Sequence, residues 1–345
     1  MTTGFAAGDN GLLWRGERGI VDLSALGDVF AQPTLNPLLA LGRRGWRQAL
    51  EAARGHDGPA AHEPTRLPFE VADYVDFYSS LEHASNLGRM FRPDSEPLLP
   101  NWRWLPVGYH GRAGTVVVSG TDVTRPHGQV KGDGDPVYAP SRRLDIELEL
   151  GFVVGVPTEL GRTLTAADFE DHVFGVVLVN DWSARDIQAW EYQPLGPFLG
   201  KSFQTSISAW VTPLELLHNA RVEAPQQDPP PLRHLDGGRD WALDLALEVE
   251  LNGETISRGN AGGLYWTMPQ QLAHATSNGA ALRTGDLMAS GTISGSEPGS
   301  EGSLIELWRN ARFLEDGDEV VLRGRTREVE LGEVRGRVRP SRTHT

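Results

Sequence analysis

The sequence contains no cysteine. That excludes disulfides, zinc fingers and thiol nucleophiles, and it fits a reducing compartment such as the cytoplasm. Long apolar runs are missing too: stretches such as Val176-Val-Leu-Val179 are far too short to span a bilayer. No charged-then-apolar stretch near the start reads as a signal peptide. Basic residues are outnumbered, 32 Lys and Arg against 46 Asp and Glu, and the net charge of −14 argues against nucleic acid or an anionic membrane as partner. What the chain does have is length and glycine: 345 residues, 40 of them Gly, with a hydrophobic share of 39%. This fits a globular protein rich in strands and turns, with one large domain and a small one.

The expected boundary lies near residue 70. Within 1–70, Gly11-Leu-Leu-Trp and Gly19-Ile-Val-Asp-Leu read as a short hairpin, 37–54 as a helix with leucines and Trp46 at helical spacing, and 55–68 as a linker. Within 71–345 the pattern is mostly strands, at 114–119, 144–154, 173–179, 243–251 and 319–322. Asn252-Gly253 is a hairpin turn. Thr165-Ala-Ala-Asp168 resembles a capping box, and Thr267 caps a helix ending near Asn278-Gly279. Residues 219–240, with four prolines, read as a surface loop.

Several polar constellations stand out. In a strand, Asp145, Glu147 and Glu149 share one face, where like charges repel unless solvent or a cation takes them up. A solvated acidic face is the plainer reading, and Asp244, Glu248 and Glu250 alternate with apolar residues in the same way. Spacing alone does not separate the two segments. With Glu147 and Glu149, Asp76 and Asp181 would make a four-carboxylate, all-oxygen cage of the kind a hard divalent cation prefers. Asp76, Tyr78, His83 and Arg92 combine an acid, a phenol, an imidazole and a cation within seventeen residues. His83 is the group best suited to accept a proton at neutral pH, unless it is simply exposed on the first turn of a helix capped by Ser79 or Ser80.

Asn180-Asp-Trp-Ser-Ala-Arg185-Asp follows an apolar strand, a rigid place for a site. Arg185, Gln188 and Tyr192 share one face if a helix follows; a surface turn in which Arg185 pairs with Asp186 is the alternative. Gly196-Pro-Phe-Leu-Gly-Lys201 fails the phosphate-loop spacing, which leaves Lys201 as a positioned cation. The amides and Thr292 hydroxyl of Ser290-Gly-Thr-Ile-Ser-Gly295 could cradle a carboxylate. Glu306 reads as a carboxylate in an apolar strand, and a partner such as His83 would make it an orienting acid.

Seven ordered blocks together resemble the fumarylacetoacetate hydrolase family from about residue 74 to 324. They are Asp76-Phe-Tyr-Ser-Ser, Pro100-Asn-Trp, Leu105-Pro-Val-Gly-Tyr-His-Gly-Arg, Leu144-Asp-Ile-Glu-Leu-Glu, Asn180-Asp-Trp-Ser-Ala-Arg-Asp-Ile-Gln, Pro194-Leu-Gly-Pro-Phe-Leu-Gly-Lys-Ser-Phe and Ala289-Ser-Gly-Thr-Ile-Ser-Gly. The resemblance implies a mainly β (α+β) fold: a small SH3-like N-terminal β domain, here shortened and without its opening strand region, before a large mixed β-sandwich or β-roll. It also implies a homodimer acting on a small dicarboxylate diketo acid at the last step of tyrosine and phenylalanine breakdown. It implies calcium held by Asp76, Glu147, Glu149 and Asp181, and magnesium near Asp181, Lys201 and Thr205. His83 would be the base, Glu306 its partner, and Arg185, Gln188 and Lys201 the oxyanion hole. Tyr78, Arg92, Tyr109, Gln188, Tyr192 and Thr292 would contact substrate. Asp244, Glu248 and Glu250 carry no site residue of the family. The rival activities are acylpyruvate hydrolysis and 2-oxo acid decarboxylation; from another class, the rival is a non-catalytic calcium-dependent binding module.

Overall fold

The computed structural model describes residues 1–342. Three antiparallel strands open the chain: Gly4–Ala7, Leu12–Gly16 and Gly19–Asp22. The last two are the expected hairpin, closed with Gly16 opposite Gly19. The first was not among the elements expected from sequence; its four residues, Gly-Phe-Ala-Ala, are all buried and so show no alternation to read. The single helix expected over 37–54 is two, Asn36–Leu39 and Gly42–Gly55. Gly42 sits at φ 71°, a left-handed turn that a right-handed helix cannot absorb. Trp46, Ala49, Leu50 and Ala53 form the buried stripe of the longer helix.

A mixed eight-stranded sheet dominates the rest of the chain. Its order is Gly108–His110, Tyr74–Phe77, Leu287–Ala289, Leu148–Val154, Val173–Asp181, Thr205–Ile207 and Val116–Val118, with Thr212–Pro213 also paired to Val173–Asp181. The two central strands are apolar on both faces because both faces are covered. Leu148, Leu150, Phe152, Val176 and Leu178 face one core, shared with Leu247, Val249, Val320, Leu322 and Val334. Val153, Val177, Val179 and Ile207 face the other, shared with Phe5, Leu12, Trp14 and Trp46 of the N-terminal residues. The first core lies against a five-stranded sheet ordered Glu254–Asn260, Ala246–Leu251, Glu319–Arg325, Glu330–Arg339 and Val123–Thr124.

Asn252-Gly253 makes the predicted turn, with both residues at positive φ as a two-residue hairpin of this type requires. The ten-residue strand Glu330–Arg339 is absent from the sequence reading, since Gly332 and Gly336 interrupt its alternation. Thr165 does cap a turn with Asp168, but the helix runs only Phe169–His172 before the chain enters the sheet. Thr267 caps Met268–Thr276 as expected. The proline-rich segment 219–240 is not wholly superficial: Ala224, Gln227 and Leu235 are buried, and Gln227 exchanges hydrogen bonds with Gln270.

Candidate active site

The strand expected over 144–154 is two strands, Leu144–Asp145 and Leu148–Val154, with Ile146 and Glu147 between them. Asp145 turns to other partners, while Glu147 and Glu149 stay at the sheet. Here the two acidic alternations separate. Asp145, Glu147 and Glu149 are buried, whereas Asp244 is exposed and Glu248 and Glu250 are half-exposed and paired with arginines.

Asp76 comes from the strand Tyr74–Phe77 and Asp181 from the end of Val173–Asp181. Asp76 lies opposite Ala289, which in turn lies opposite Gly151, two residues beyond Glu149. The Asp181 amide donates to the Glu147 carbonyl at 3.2 Å. Sheet register therefore brings four distant carboxylates together, with one oxygen from each within 4.8 Å of all the others.

Two cations face this cluster. Lys201, on the short helix Leu199–Ser202, donates to Glu147 and, at 2.6 Å, to Asp181. Arg185, first residue of the helix Arg185–Glu191, pairs with Glu147 at 2.7 Å and with Asp145 at 2.8 Å, not with Asp186. Asp181 also accepts from Thr205 Oγ1 at 2.9 Å and Tyr109 Oη at 3.1 Å. Burial disfavours the charge on Glu147, but Lys201 and Arg185 prevail and hold its carboxyl well below the usual range. Asp76 and Glu149 go the other way: burial, then their acidic neighbours, push both well above it. Asp76 Oδ1 and both Glu149 oxygens are buried without a protein partner. Hard oxygens left unpaired inside a nest of like charge are what a divalent cation would satisfy, so the donor set fits one.

His83 lies beside the cluster on the helix Leu81–Phe91, whose N-cap Ser80 accepts from the His83 amide. The ring is buried, not exposed on a first turn. Its Nδ1 meets Glu306 Oε2 at 2.5 Å. Glu306 sits on a four-residue helix, Leu304–Leu307, which corrects the strand reading; an apolar pentapeptide suits either element. Its carboxylate also accepts from Asn86 at 3.0 Å, Ser294 at 3.0 Å and Ser303 at 2.6 Å. Burial would raise Glu306, yet His83 and these hydroxyl and amide donors lower its pKa to about 2. Tyr78 presents its ring edge-on to His83 at 5.2 Å.

Gln188 accepts from Arg185 at 3.3 Å, one turn along the same helix. Thr292 is buried with its hydroxyl unpartnered, in a loop pressed so close to the first strand of the site that a Cβ on Gly291 would meet the Phe77 carbonyl at 2.2 Å. Arg92, at the end of the helix Leu81–Phe91, donates to the Pro97 carbonyl at 2.7 Å and keeps Nε buried and unpaired. Tyr192 is exposed, and its hydroxyl accepts from Gln193 Nε2 at 3.0 Å. Asn86, Ser294, Ser303 and the bridging role of Asp145 are not found by sequence reasoning, although Ser294 lies in the singled-out Ser290-Gly-Thr-Ile-Ser-Gly295 segment and Asp145 in the acidic alternation.

Residues 73–339 match the family model described as fumarylacetoacetate (FAA) hydrolase C-terminal. Fumarylacetoacetase of Caenorhabditis elegans is 47% identical over 361 residues, covering 92% of this chain and 86% of that protein. The Homo sapiens fumarylacetoacetase is 45% identical over the same shares. Among solved structures, fumarylacetoacetate hydrolase from psychrophilic Exiguobacterium antarcticum superposes with a TM-score of 0.62 at 17% identity, covering 99% of this chain and all of that one. Maleylpyruvate hydrolase from Sphingobium sp. SYK-6 gives 0.60 at 19%, over the same extent. These structural likenesses carry the fold; the matched family model and the identity to the curated relatives carry the assignment. The chain belongs to the fumarylacetoacetate hydrolase family.

Proposed function

We propose that this chain hydrolyses the carbon–carbon bond of 4-fumarylacetoacetate to fumarate and acetoacetate, the last step of tyrosine and phenylalanine breakdown. The observation that carries the reading is a buried His83–Glu306 pair set beside four converging carboxylates in a chain 45–47% identical to fumarylacetoacetases.

Glu306 fixes the His83 tautomer by accepting from Nδ1, so that Nε2 faces the reaction as a base. His83 takes a proton from water, and the hydroxide adds to the carbonyl carbon of the fumaryl group. Arg185, Gln188 and Lys201 stabilise the alkoxide that forms; one such donor is commonly worth about 10²–10³ in rate. Collapse breaks the carbon–carbon bond, releases fumarate and leaves the electron pair on the acetoacetate fragment, which the His83 imidazolium reprotonates. Asp76, Glu147, Glu149 and Asp181 would hold a hard divalent cation, calcium by family resemblance, which would supply Lewis acidity for charge developing on substrate oxygens. Tyr78, Arg92, Tyr109, Tyr192 and Thr292 grip the substrate and its carboxylates. By the same resemblance, Asp181, Lys201 and Thr205 would border a second cation, magnesium.

An SH3-like assignment of residues 1–70 is supported by their three-stranded meander. A homodimer is supported by the exposed apolar run Trp190, Tyr192, Leu195, Phe198 and Leu199. Among the described residues no helix is long and apolar enough to cross a membrane; a cytoplasmic location is proposed on that and on the absence of cysteine.

The test is product analysis with and without a chelator. Fumarate and acetoacetate in equal amounts, lost on chelation and lost in His83→Ala, are expected. Carbon dioxide or pyruvate would refute the substrate reading. Turnover by His83→Ala with metal still bound would refute the base.

A further inference from the structure

Asp145 belongs to neither the carboxylate nest nor the His83–Glu306 pair, yet it is wholly buried and fully used. Its Oδ1 accepts from the amides of Ile146 at 2.7 Å and Leu304 at 2.8 Å. Its Oδ2 accepts from Arg185 Nε at 2.8 Å and from the Ile305 amide at 3.2 Å. One carboxylate therefore touches the arginine on one side of the site and the backbone immediately before Glu306 on the other. The two segments it joins lie 120 residues apart in the chain, at 185 and 305.

The consequence for Arg185 is specific. Its Nε is committed to Asp145, and its Nη1 to Glu147 at 2.7 Å and Gln188 at 3.3 Å. Nη2 is buried and has no protein partner. Two carboxylates from either side of Ile146 thus clamp the guanidinium plane and leave one donor free. A planar fork gripped at two corners has little freedom to rotate, so the free donor has a fixed direction.

We propose that Asp145 is a positioning residue: a single charged side chain that sets the distance and orientation between the Arg185 donor and the Glu306–His83 pair. This rests on the catalytic reading of Arg185, Glu306 and His83 given above. Asparagine cannot replace it. Either way its amide is turned, an N–H₂ faces backbone or guanidinium N–H groups, so one set of bonds becomes donor against donor. A shift of about 1 Å in a reacting group can cost about 10²-fold in rate, and a group acting through two others shows its effect in kcat rather than in ground-state binding.

The experiment is a double-mutant cycle on the metal-loaded enzyme, with kcat and KM read separately and calcium stoichiometry measured in each variant. Asp145→Asn is expected to lower kcat about 10²-fold with KM and metal content unchanged. Added to Arg185→Lys or to Glu306→Gln, it is expected to cost far less than it costs alone, because the geometry it protects is already lost. Full kcat in Asp145→Asn, or effects that multiply independently in both double variants, would overturn the inference. Arg185→Lys and Glu306→Gln each retaining full kcat would instead refute the catalytic reading on which it stands. Should Asp145→Asn not fold, hydrogen exchange in Arg185→Lys carries the test: the Leu304 and Ile305 amides are expected to lose protection as the anchor of Asp145 is removed. Unchanged protection there would also overturn the inference.

Discussion

Replacing Glu306 by glutamine keeps the shape of the side chain and removes its charge. Four donors converge on that carboxylate, from His83, Asn86, Ser294 and Ser303. They hold its pKa at about 2 against an ordinary value of 4.5. At 1.36 kcal/mol per pH unit, the charged form is favoured by about 3 kcal/mol in the native state. The sign is that of a depressed acid: this stabilisation is fully present above about 4.5 and is lost as pH falls through about 2. Glu306→Gln is therefore expected to lower unfolding free energy at neutral pH by up to about 3 kcal/mol, and the deficit is expected to shrink as wild type and variant are compared in increasingly acidic denaturant titrations. Activity suffers separately. The neutral amide no longer stabilises the imidazolium formed when His83 takes its proton, and loss of the acid in such a dyad is expected to cost about 10²–10⁴ in kcat. Fumarate release under saturating substrate and metal is the assay. A variant that is destabilised yet turns over at the wild-type rate would refute the dyad while leaving the packing argument intact. One that keeps wild-type stability at neutral pH would refute the electrostatic argument itself.

The same geometry sets further outcomes. With the cation chelated, Asp76 and Glu149 retain protons that the unfolded chain has released, because burial and then acidic neighbours raise them. The stability of the chelated protein therefore falls as pH rises above the ordinary carboxylate range, and saturating calcium abolishes the slope. Equal melting temperatures at about pH 5 and about pH 8 without metal would contradict this. Arg92→Ala is expected to lower kcat/KM by about 10–100-fold through loss of a charged hydrogen bond to a substrate carboxylate, with stability little changed; an unaltered KM would remove Arg92 from the binding set. Glu248→Gln, on the half-exposed acidic strand, is expected to change unfolding free energy by no more than about 0.5 kcal/mol and turnover not at all. A large loss there would show that burial does not distinguish the two acidic strands.

Much of the architecture was legible because each signal was local. Asn252-Gly253 has the backbone freedom its turn needs, Thr267 and Gln270 satisfy each other at a helix start, and Val173–Asp181 is apolar on both faces as a covered strand must be. Where readings failed, a local preference was overridden or absent. Leu304–Leu307 has no periodicity long enough to separate helix from strand, and Asp145 supplies acceptors that hold the helical form. Glu330–Arg339 hides its alternation behind two glycines. Arg185 pairs with Asp145 and Glu147 rather than its neighbour Asp186, which instead accepts from Ser141 and Arg142.

The ordered motifs by themselves determined the family, and with it the identities of the residues to watch. Alternation by itself did not show which acidic strand is buried, because Glu149 and Glu250 have the same alternating surroundings in sequence. Only the tertiary structure decided that, by covering one strand with residues 1–70 on one face and a second sheet on the other while leaving the second strand half open to solvent. A carboxylate in water needs no partner; one sealed between two cores needs a proton, an ammonium or a metal. Glu147 has Lys201 and Arg185, Glu306 has His83, and Glu149 has no protein partner.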